Sequence, residues 1–309
     1  MSAGRIDAAG YGRVAVLCGG ESTEREISLK SGAAVLAALE ARGVAAFQVD
    51  GLDELLAVLA AGRVDRVFNI MHGGAGENGV VQGLLAAYRI PCTGSPLSGA
   101  ALTMDKIRCK QLWRGIGLPT PDYCAVNAAE PDPAGRVRAA LDLPLIVKPA
   151  HEGSTIGTHR VTRDDELAPA LAVAFSHDRD VVVETLIVGE DVTVAILDDT
   201  ALPSIRIRPA GDLYDYNAKY EATDTIFDCP GLTGDEERRA GELARAAFRA
   251  AGAGGWGRVD LMRDLQGALW LLEVNTTPGM TDHSLVPMAA RAAGIDFEEL
   301  TWRILSTSR

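Results

Sequence analysis

The sequence predicts an α/β protein of two or three domains, with a parallel sheet at its amino end. Three observations carry this expectation. The chain has 309 residues, more than one ordinary domain of about 100–200 residues. Its first third alternates apolar runs and helical stretches in β-α-β-α-β order, which favours parallel strands covered by helices. Its last third places two β-rich runs on either side of a short turn, the pattern of an antiparallel pair.

The elements follow in order. Residues 14–18 form an apolar run ending in Gly19-Gly20, as in a buried parallel strand followed by a glycine turn. Ser22 or Thr23 can cap the next helix, which runs through 31–39. Residues 44–49 read as a strand, 52–61 as a helix and 66–71 as a third strand. Thr93-Gly-Ser-Pro96 is turn-rich and closes a first unit, 1–94. In a second unit, 95–187, a helix is expected over 104–115 and Pro119-Thr-Pro-Asp122 breaks it. Residues 145–149 read as a strand, because Pro149 disfavours helix in the residue before it. A small-residue loop over 151–157, a helix over 164–175 and a strand over 180–184 complete this unit. In the third, 188–309, residues 191–197 form a strand and 212–220 a polar, aromatic segment. Residues 235–251 form an amphipathic helix with an acidic first turn, as the helix dipole favours. Strands over 256–262 and 270–274 flank the turn Leu265-Gln-Gly267, and a helix over 298–305 closes the chain.

The charge excludes some partners. With 30 basic and 42 acidic residues the net charge is −12, whereas nucleic-acid and membrane-surface binders need a basic face. A small phosphate ligand needs only a few local cations. Only five of the basic residues are lysines: Lys30, Lys106, Lys110, Lys148 and Lys219. Basic and acidic residues number 8 and 10 in the first unit, 10 and 12 in the second, and 12 and 20 in the third, so the acid excess falls in the last. The five cysteines are odd in number and form no C-x-x-C pair, which argues against a disulfide framework or a zinc site. Residues 1–12 carry no apolar core of a signal peptide, and no apolar run reaches about 18 residues. A cytoplasmic protein is expected.

Five constellations can carry chemistry. Glu273 and Asp260 end apolar strands, and with Asn275 they form an all-oxygen set of the kind that suits Mg²⁺. Read from position alone, they are equally strand-end turn residues. Lys148 follows three apolar residues, so it is either a phosphate contact or a snorkelling lysine. Lys106 alone reads as a solvated helix cation. The 151–157 loop offers backbone N–H groups and could close over phosphates, although no Walker A pattern occurs anywhere. Gly19-Gly20 sits where a dinucleotide fingerprint would sit, but G-x-G-x-x-G is absent and acidic residues follow. A glutamate there suits an ammonium group, or simply complements the helix dipole. In the 278–285 loop, Gly279 frees a backbone N–H for close approach, and Ser284 lies near a helix start, where a carboxylate can bind.

Taken together, seven motifs occur in one order. They are Gly19-Gly-Glu-Ser-Thr-Glu-Arg-Glu-Ile-Ser28, His72-Gly-Gly-Ala-Gly-Glu-Asn-Gly79, Met104-Asp-Lys106, Glu152-Gly-Ser-Thr155, Tyr214-Asp-Tyr-Asn-Ala-Lys-Tyr220, Gly257-Arg-Val-Asp260 and Glu273-Val-Asn-Thr-Thr-Pro-Gly-Met280. From Val14 to Leu305 the chain resembles the D-alanine–D-alanine ligase family of the ATP-grasp superfamily. The resemblance implies a three-domain ATP-grasp architecture: a Rossmann-like sheet and two α+β units that clasp ATP. It implies ligation of two D-alanines through a D-alanyl phosphate, with release of ADP and phosphate, for peptidoglycan precursors.

Residue roles follow from the same resemblance. Glu24 matches the holder of the first ammonium group, with Ser154 and Tyr220 as its hydrogen-bond partners and His72 in the same pocket. Lys106, Lys148 and Lys219 match lysines on the ATP phosphates. Ile146, Met262 and Leu272 match the adenine sandwich, and Glu184, Thr185, Ile187 and Asp191 the other nucleotide contacts. Asp260, Glu273 and Asn275 match the ligands of two Mg²⁺ or Mn²⁺ ions. Arg258 and the Gly279 N–H match the oxyanion stabilisers, and Ser284 with the Leu285 N–H the second substrate's carboxylate site. A homodimer built through the first domain is also implied. Two departures touch the nucleotide: Thr185 stands where the family has lysine, and Asp191 stands nearest its ribose-binding glutamate. A ligase for D-serine or D-lactate, and a non-catalytic nucleotide-binding protein, are the alternatives. The retained Tyr220 favours D-alanine as the second substrate.

Overall fold

The structure, a computed structural model, describes residues 7–208 and 224–308. The first sheet holds β1 (Val14–Cys18), β2 (Ala46–Asp50) and β3 (Arg66–Asn69), parallel and in the order β2-β1-β3. Every residue of β1 is buried, because side chains alternate between two covered faces. Val14, Val16 and Cys18 share a core with α1 (Arg25–Ala41). Ala15 and Leu17 face α2 (Gly51–Ala60) and α3 (Val80–Tyr88) through Leu55, Val58, Val81 and Leu85. In α1 the buried set Ser28, Ser31, Gly32, Val35, Ala38 and Leu39 repeats at helical spacing. A Cβ on Gly32 would lie 2.7 Å from the Cys18 Sγ, so only glycine lets this helix lie so close to β1.

α4 (Leu97–Met104) and α5 (Lys106–Gly115) replace the single helix expected over 104–115. Asp105 sits between them in an extended conformation, and its carboxylate accepts the Arg108 N–H at 2.9 Å. An N-cap aspartate of this kind starts a new helix. Asp132 caps α6 (Pro133–Ala140) in the same way, accepting the Gly135 N–H at 2.8 Å.

The second sheet is antiparallel, in the order β4-β7-β5-β6: β4 (Tyr123–Asn127), β5 (Leu145–Pro149), β6 (His159–Val161) and β7 (Asp180–Thr185). α6 and α7 (Asp164–His177) cover one face, over Leu145, Val147, Val181 and Val183. Alternation therefore sends Ile146, Lys148 and Glu184 to the opposite face.

The third sheet contains β8 (Gly189–Leu197), β9 (Thr200–Ala201), β10 (Ile205–Arg208), β11 (Ile226–Asp228), β12 (Trp256–Asp264) and β13 (Leu269–Asn275). Its order is β11-β10-β8-β12-β13, with β9 on β8. α8 (Gly234–Ala250) and α5 cover one face, over Val192, Val194, Val259, Leu261 and Leu271. On the other, Asp191, Thr193, Asp260 and Met262 line a cleft towards the second sheet. The closing helices α9 (Leu285–Ala292) and α10 (Phe297–Ser306) return to the first sheet. Leu300, Ile304 and Leu305 enter the core that contains Val14 and Leu39, each fully buried side chain contributing roughly 1.5–3 kcal/mol. No described helix is long and apolar enough to cross a membrane.

Candidate active site

Two clefts meet at the junction of the three sheets. The first, of about 300 Å³, is polar and lies between the amino ends of α1 and α9, the 151–157 loop and the end of β13; Glu24, Lys30, His72, Arg258 and Ser284 are on its wall. The second, of about 280 Å³, lies between the second and third sheets. Lys106, Glu152, Gly153 and Glu273 line both.

In the polar cleft, Glu24 stands at the N-cap of α1 without capping it through its side chain. Its Oε1 instead accepts the Ser154 hydroxyl at 2.6 Å. Ser22 Oγ, one of the two caps expected from sequence, accepts the Glu24 N–H at 3.2 Å and donates to the His72 carbonyl at 2.7 Å. Ser154 and Thr155 both adopt left-handed backbone conformations, at φ 50° and 64°, which costs roughly 1–2 kcal/mol per residue. The Glu24–Ser154 bond across 130 residues helps hold that strained loop in place.

His72 is buried, and both ring nitrogens have partners. Nδ1 donates to the Thr277 carbonyl at 2.8 Å, and Nε2 lies 3.2 Å from Ser31 Oγ, which also accepts the Met280 N–H at 3.1 Å. A carbonyl can only accept, so Nδ1 carries the proton and Nε2 takes one from Ser31. Burial pushes the imidazole pKa down, consistent with this neutral form. His72 thus braces the Thr277–Met280 loop against α1. In that loop a Cβ on Gly279 would approach Ser284 Oγ to 2.8 Å. Ser284 Oγ accepts the Thr281 N–H at 2.9 Å rather than capping α9.

β12 and β13 bring together four of the side chains singled out from the sequence. Arg258 pairs across the ladder with Asn275, and Asp260 with Glu273. The ladder shifts register after Asp260, so Leu272 has no opposite residue. Two consecutive residues, Leu272 and Glu273, consequently line the cleft. Arg258 grips Asp260 with two bonds of 2.7 Å each, and Thr193 donates to the same carboxylate at 2.6 Å. Asn275 Oδ1 is buried without a hydrogen-bond partner among the described residues.

The second cleft is lined by Ile146, Lys148, Thr185, Ile187, Asp191, Met262 and Leu272, all expected from sequence. Glu190 points elsewhere, to Arg206 at 3.1 Å and Arg263 at 3.3 Å, whereas its neighbour Asp191 lines the cleft. Lys106 Nζ donates to the Glu152 carbonyl and lies 3.7 Å from Glu273 Oε2. Lys148 Nζ is 3.0 Å from Glu184 Oε2. Burial opposes the Lys148 charge, but Glu184 and then Glu273 outweigh it and raise the pKa. Lys219 and Tyr220 lie outside the described residues.

Two residues join the site that sequence reasoning did not assign. Glu77 lines the polar cleft, and burial, with the Glu24 charge second, pushes its pKa up to about 8. Its signal was its place in the motif that starts at His72. Lys110 lies behind Glu184, 3.2 Å from Oε1; its signal was the scarcity of lysine in the chain.

A parallel sheet joined to two antiparallel sheets that face each other across a lysine-lined cleft defines an ATP-grasp protein. Residues 112–306 match the family model described as D-ala D-ala ligase C-terminus. The chain is 57% identical over 305 residues to D-alanine–D-alanine ligase B of Xanthomonas campestris, covering 97% of this chain and 95% of that protein. It superposes with a TM-score of 0.81 on the D-alanine–D-alanine ligase of Bacillus anthracis complexed with ATP, at 32% identity and 96% coverage of each chain. The VanG D-Ala:D-Ser ligase of Enterococcus faecalis gives a TM-score of 0.84 at 27% identity, over 96% of this chain and 98% of that one. The chain belongs to the D-alanine–D-alanine ligase family.

Proposed function

We propose that the protein joins two D-alanines into D-alanyl-D-alanine, converting ATP to ADP and phosphate, for peptidoglycan precursor synthesis. One observation carries this reading: the polar and apolar clefts open into each other at Lys106, Glu152, Gly153 and Glu273. A carboxylate held in the first therefore meets the terminal phosphate of a nucleotide held in the second. The sequences and structures of ligases of this name support it.

The chemistry takes two steps. A carboxylate oxygen of the first D-alanine attacks the γ-phosphorus, and ADP leaves with the bridging oxygen. The amine of the second D-alanine then attacks the acyl carbon, loses a proton, and the phosphate leaves with the electron pair. Glu24, fixed by Ser154, holds the first ammonium group. Arg258 and the Gly279 N–H stabilise the oxyanion of the second step. Ser284 and the Leu285 N–H, at the amino end of α9, take the second carboxylate. Ile146, Met262 and Leu272 enclose adenine, Glu184, Thr185, Ile187 and Asp191 complete the nucleotide site, and Lys106 and Lys148 face its phosphates. Asp260, Glu273 and Asn275 would hold two Mg²⁺ or Mn²⁺ ions. They form an oxygen donor set, and Asn275 Oδ1, buried and without a hydrogen-bond partner among the described residues, is suited to a hard cation. Such ions, when bound, neutralise phosphate charge and polarise the transferred group.

Incubation with ATP, Mg²⁺ and D-alanine tests the reading. D-alanine-dependent phosphate release and a dipeptide mass are expected, and chelation should abolish both. Phosphate release with D-serine or D-lactate but not with D-alanine alone would move the assignment to the rival ligases. Absence of all three would leave a nucleotide-binding protein. We further read the chain as three units, 1–94, 95–187 and 188–309, each contributing one of the sheets. We read it as a cytoplasmic homodimer formed through the first unit, where Val80 and Tyr88 are exposed; sedimentation at monomer mass would refute the dimer.

A further inference from the structure

Among the described residues, Lys110 is the one lysine with no exposed surface at all, and it lines neither cleft. It therefore cannot touch a bound nucleotide. Its ammonium nevertheless sits in a chain of polar contacts that ends at the nucleotide wall. Nζ lies 3.2 Å from Glu184 Oε1, and the other carboxylate oxygen, Oε2, is 3.0 Å from Lys148 Nζ. Nζ also donates to Thr120 Oγ1 at 2.6 Å, and that hydroxyl donates to the Leu271 carbonyl at 2.9 Å. The Tyr123 ring lies 5.7 Å from the same ammonium.

A buried lysine is a poor source of stability. Desolvation of the ammonium offsets what its ion pair returns, and an apolar side chain of similar volume often does as well. Burial lowers the Lys110 pKa to about 8, against the opposing pull of Glu184. What the lysine changes is the charge count. Glu184 and Lys148 alone make a neutral pair, whose ammonium is held by the carboxylate and presents little net charge to a triphosphate. With Lys110 on the second oxygen, the triad carries one net positive charge, and Lys148 is its only member with an ammonium on the cleft wall.

We propose that Lys110 is a positioning residue for the nucleotide: by neutralising Glu184 from behind, it frees the charge of Lys148 from its own ion-pair partner, so that Lys148 faces the phosphates as a cation. Glu184 then serves as the fixed anchor between the two lysines, and the Thr120 link ties that anchor to β13, beside Leu272 and Glu273.

The proposal rests on reading the second cleft as the nucleotide site, and calorimetry of wild type and variants with Mg²⁺–ADP and with adenosine tests it. Lys110→Met should weaken ADP by about tenfold or more, as loss of one partner of a buried charge pair does. It should leave adenosine within about twofold, since adenosine carries no phosphate. Glu184 itself lines the nucleotide cleft, so variants at this position are read by the ratio of ADP to adenosine affinity. Adding Glu184→Gln restores the net charge of the triad, so the double variant should regain the wild-type ratio to within about threefold. Glu184→Gln alone, with one more positive charge in the triad, should show a higher ratio than the double variant. Equal weakening of ADP and adenosine in Lys110→Met, unchanged ADP binding, or a ratio in the double variant below that of Lys110→Met would each overturn the proposal. If Lys110→Met does not fold, Glu184→Gln and the double variant, which differ by the Lys110 charge alone, decide: a lower ratio in the double variant supports, an equal ratio overturns. Wild type that binds neither ligand would sink the nucleotide-site reading itself, an outcome distinct from wild type that binds both while Lys110→Met changes nothing.

Discussion

The polar cleft and the apolar cleft are built on different principles. The apolar cleft is a gap between two sheet faces, and much of its wall comes from strand residues two apart: Ile146 and Lys148 on β5, Asp260 and Met262 on β12. The polar cleft is assembled from the ends of helices and strands and from loops. Glu24 meets Ser154 across 130 residues, and His72 meets Thr277 across 205. The sheet-built site is held by ladder bonds that do not depend on its own side chains. The loop-built site is held largely by the groups that line it. Substitutions in the polar cleft should therefore cost more, and cost it in turnover or amino-acid affinity. Substitutions in the apolar cleft should show mainly in nucleotide affinity.

The largest effect is expected at Arg258, on the wall of the polar cleft. Arg258→Ala removes the proposed oxyanion donor and releases Asp260 from its two-bond grip. kcat should fall by about 10²–10³, the cost of losing one such donor. A tenfold or smaller fall in steady-state assays would break the assignment of Arg258 to the transition state.

Ser154→Ala comes next. Loss of the 2.6 Å bond to Glu24 should raise the KM for D-alanine by about tenfold, the worth of one hydrogen bond to a charged group. The KM for ATP should move by less than about twofold. Equal shifts in both constants would mean that the loop serves the two clefts alike, and the contrast between them would fail.

A smaller effect is expected at the base of the loop. His151 lies 2.8 Å from Asp178 and 3.5 Å from Asp105, and these carboxylates raise its pKa to about 9. A histidine raised above its unfolded value near 6.5 stabilises the fold fully below that value, and the contribution fades as pH rises through about 9. The ring is partly exposed, so the stabilisation should stay below about 1 kcal/mol. Thermal melts of His151→Gln should show a deficit at pH 6 that closes by about pH 10. A deficit independent of pH would show that packing, not charge, is what the imidazole supplies.

The smallest effect tests the apolar cleft. Thr185→Lys restores a cation to its wall and should lower the KM for ATP by about two- to fivefold, the range of a partly exposed charge contact. An unchanged KM would show that this wall does not sense phosphate charge.

Much of the fold was legible because it rests on local periodicity. The all-apolar run of β1 announced a strand covered on both faces, and the paired runs around Leu265-Gln-Gly267 became β12 and β13. α3, α6 and the short strands β4, β6, β9, β10 and β11 were not foreseen. A strand of two to five residues carries too little pattern, and its pairing is decided by partners distant in sequence. The break at Asp105 was also hidden, because the sequence around it is compatible with one helix until the cap forms.

Residue types and their spacing were enough to single out the side chains able to do chemistry: glutamate at a helix start, lysine ending an apolar strand, and two carboxylates with an amide. Every such residue that is described lines one of the two clefts. Which atoms are committed to one another became visible only in the folded chain. It gave Asp260 to Arg258 and Thr193, both nitrogens of His72 to a carbonyl and a hydroxyl, and Glu184 to two lysines. It also raised Glu77 and buried Lys110. Spacing along the chain fixes which face a side chain takes. Desolvation and charge pairing depend on what the rest of the chain brings to that face, and no local pattern encodes that.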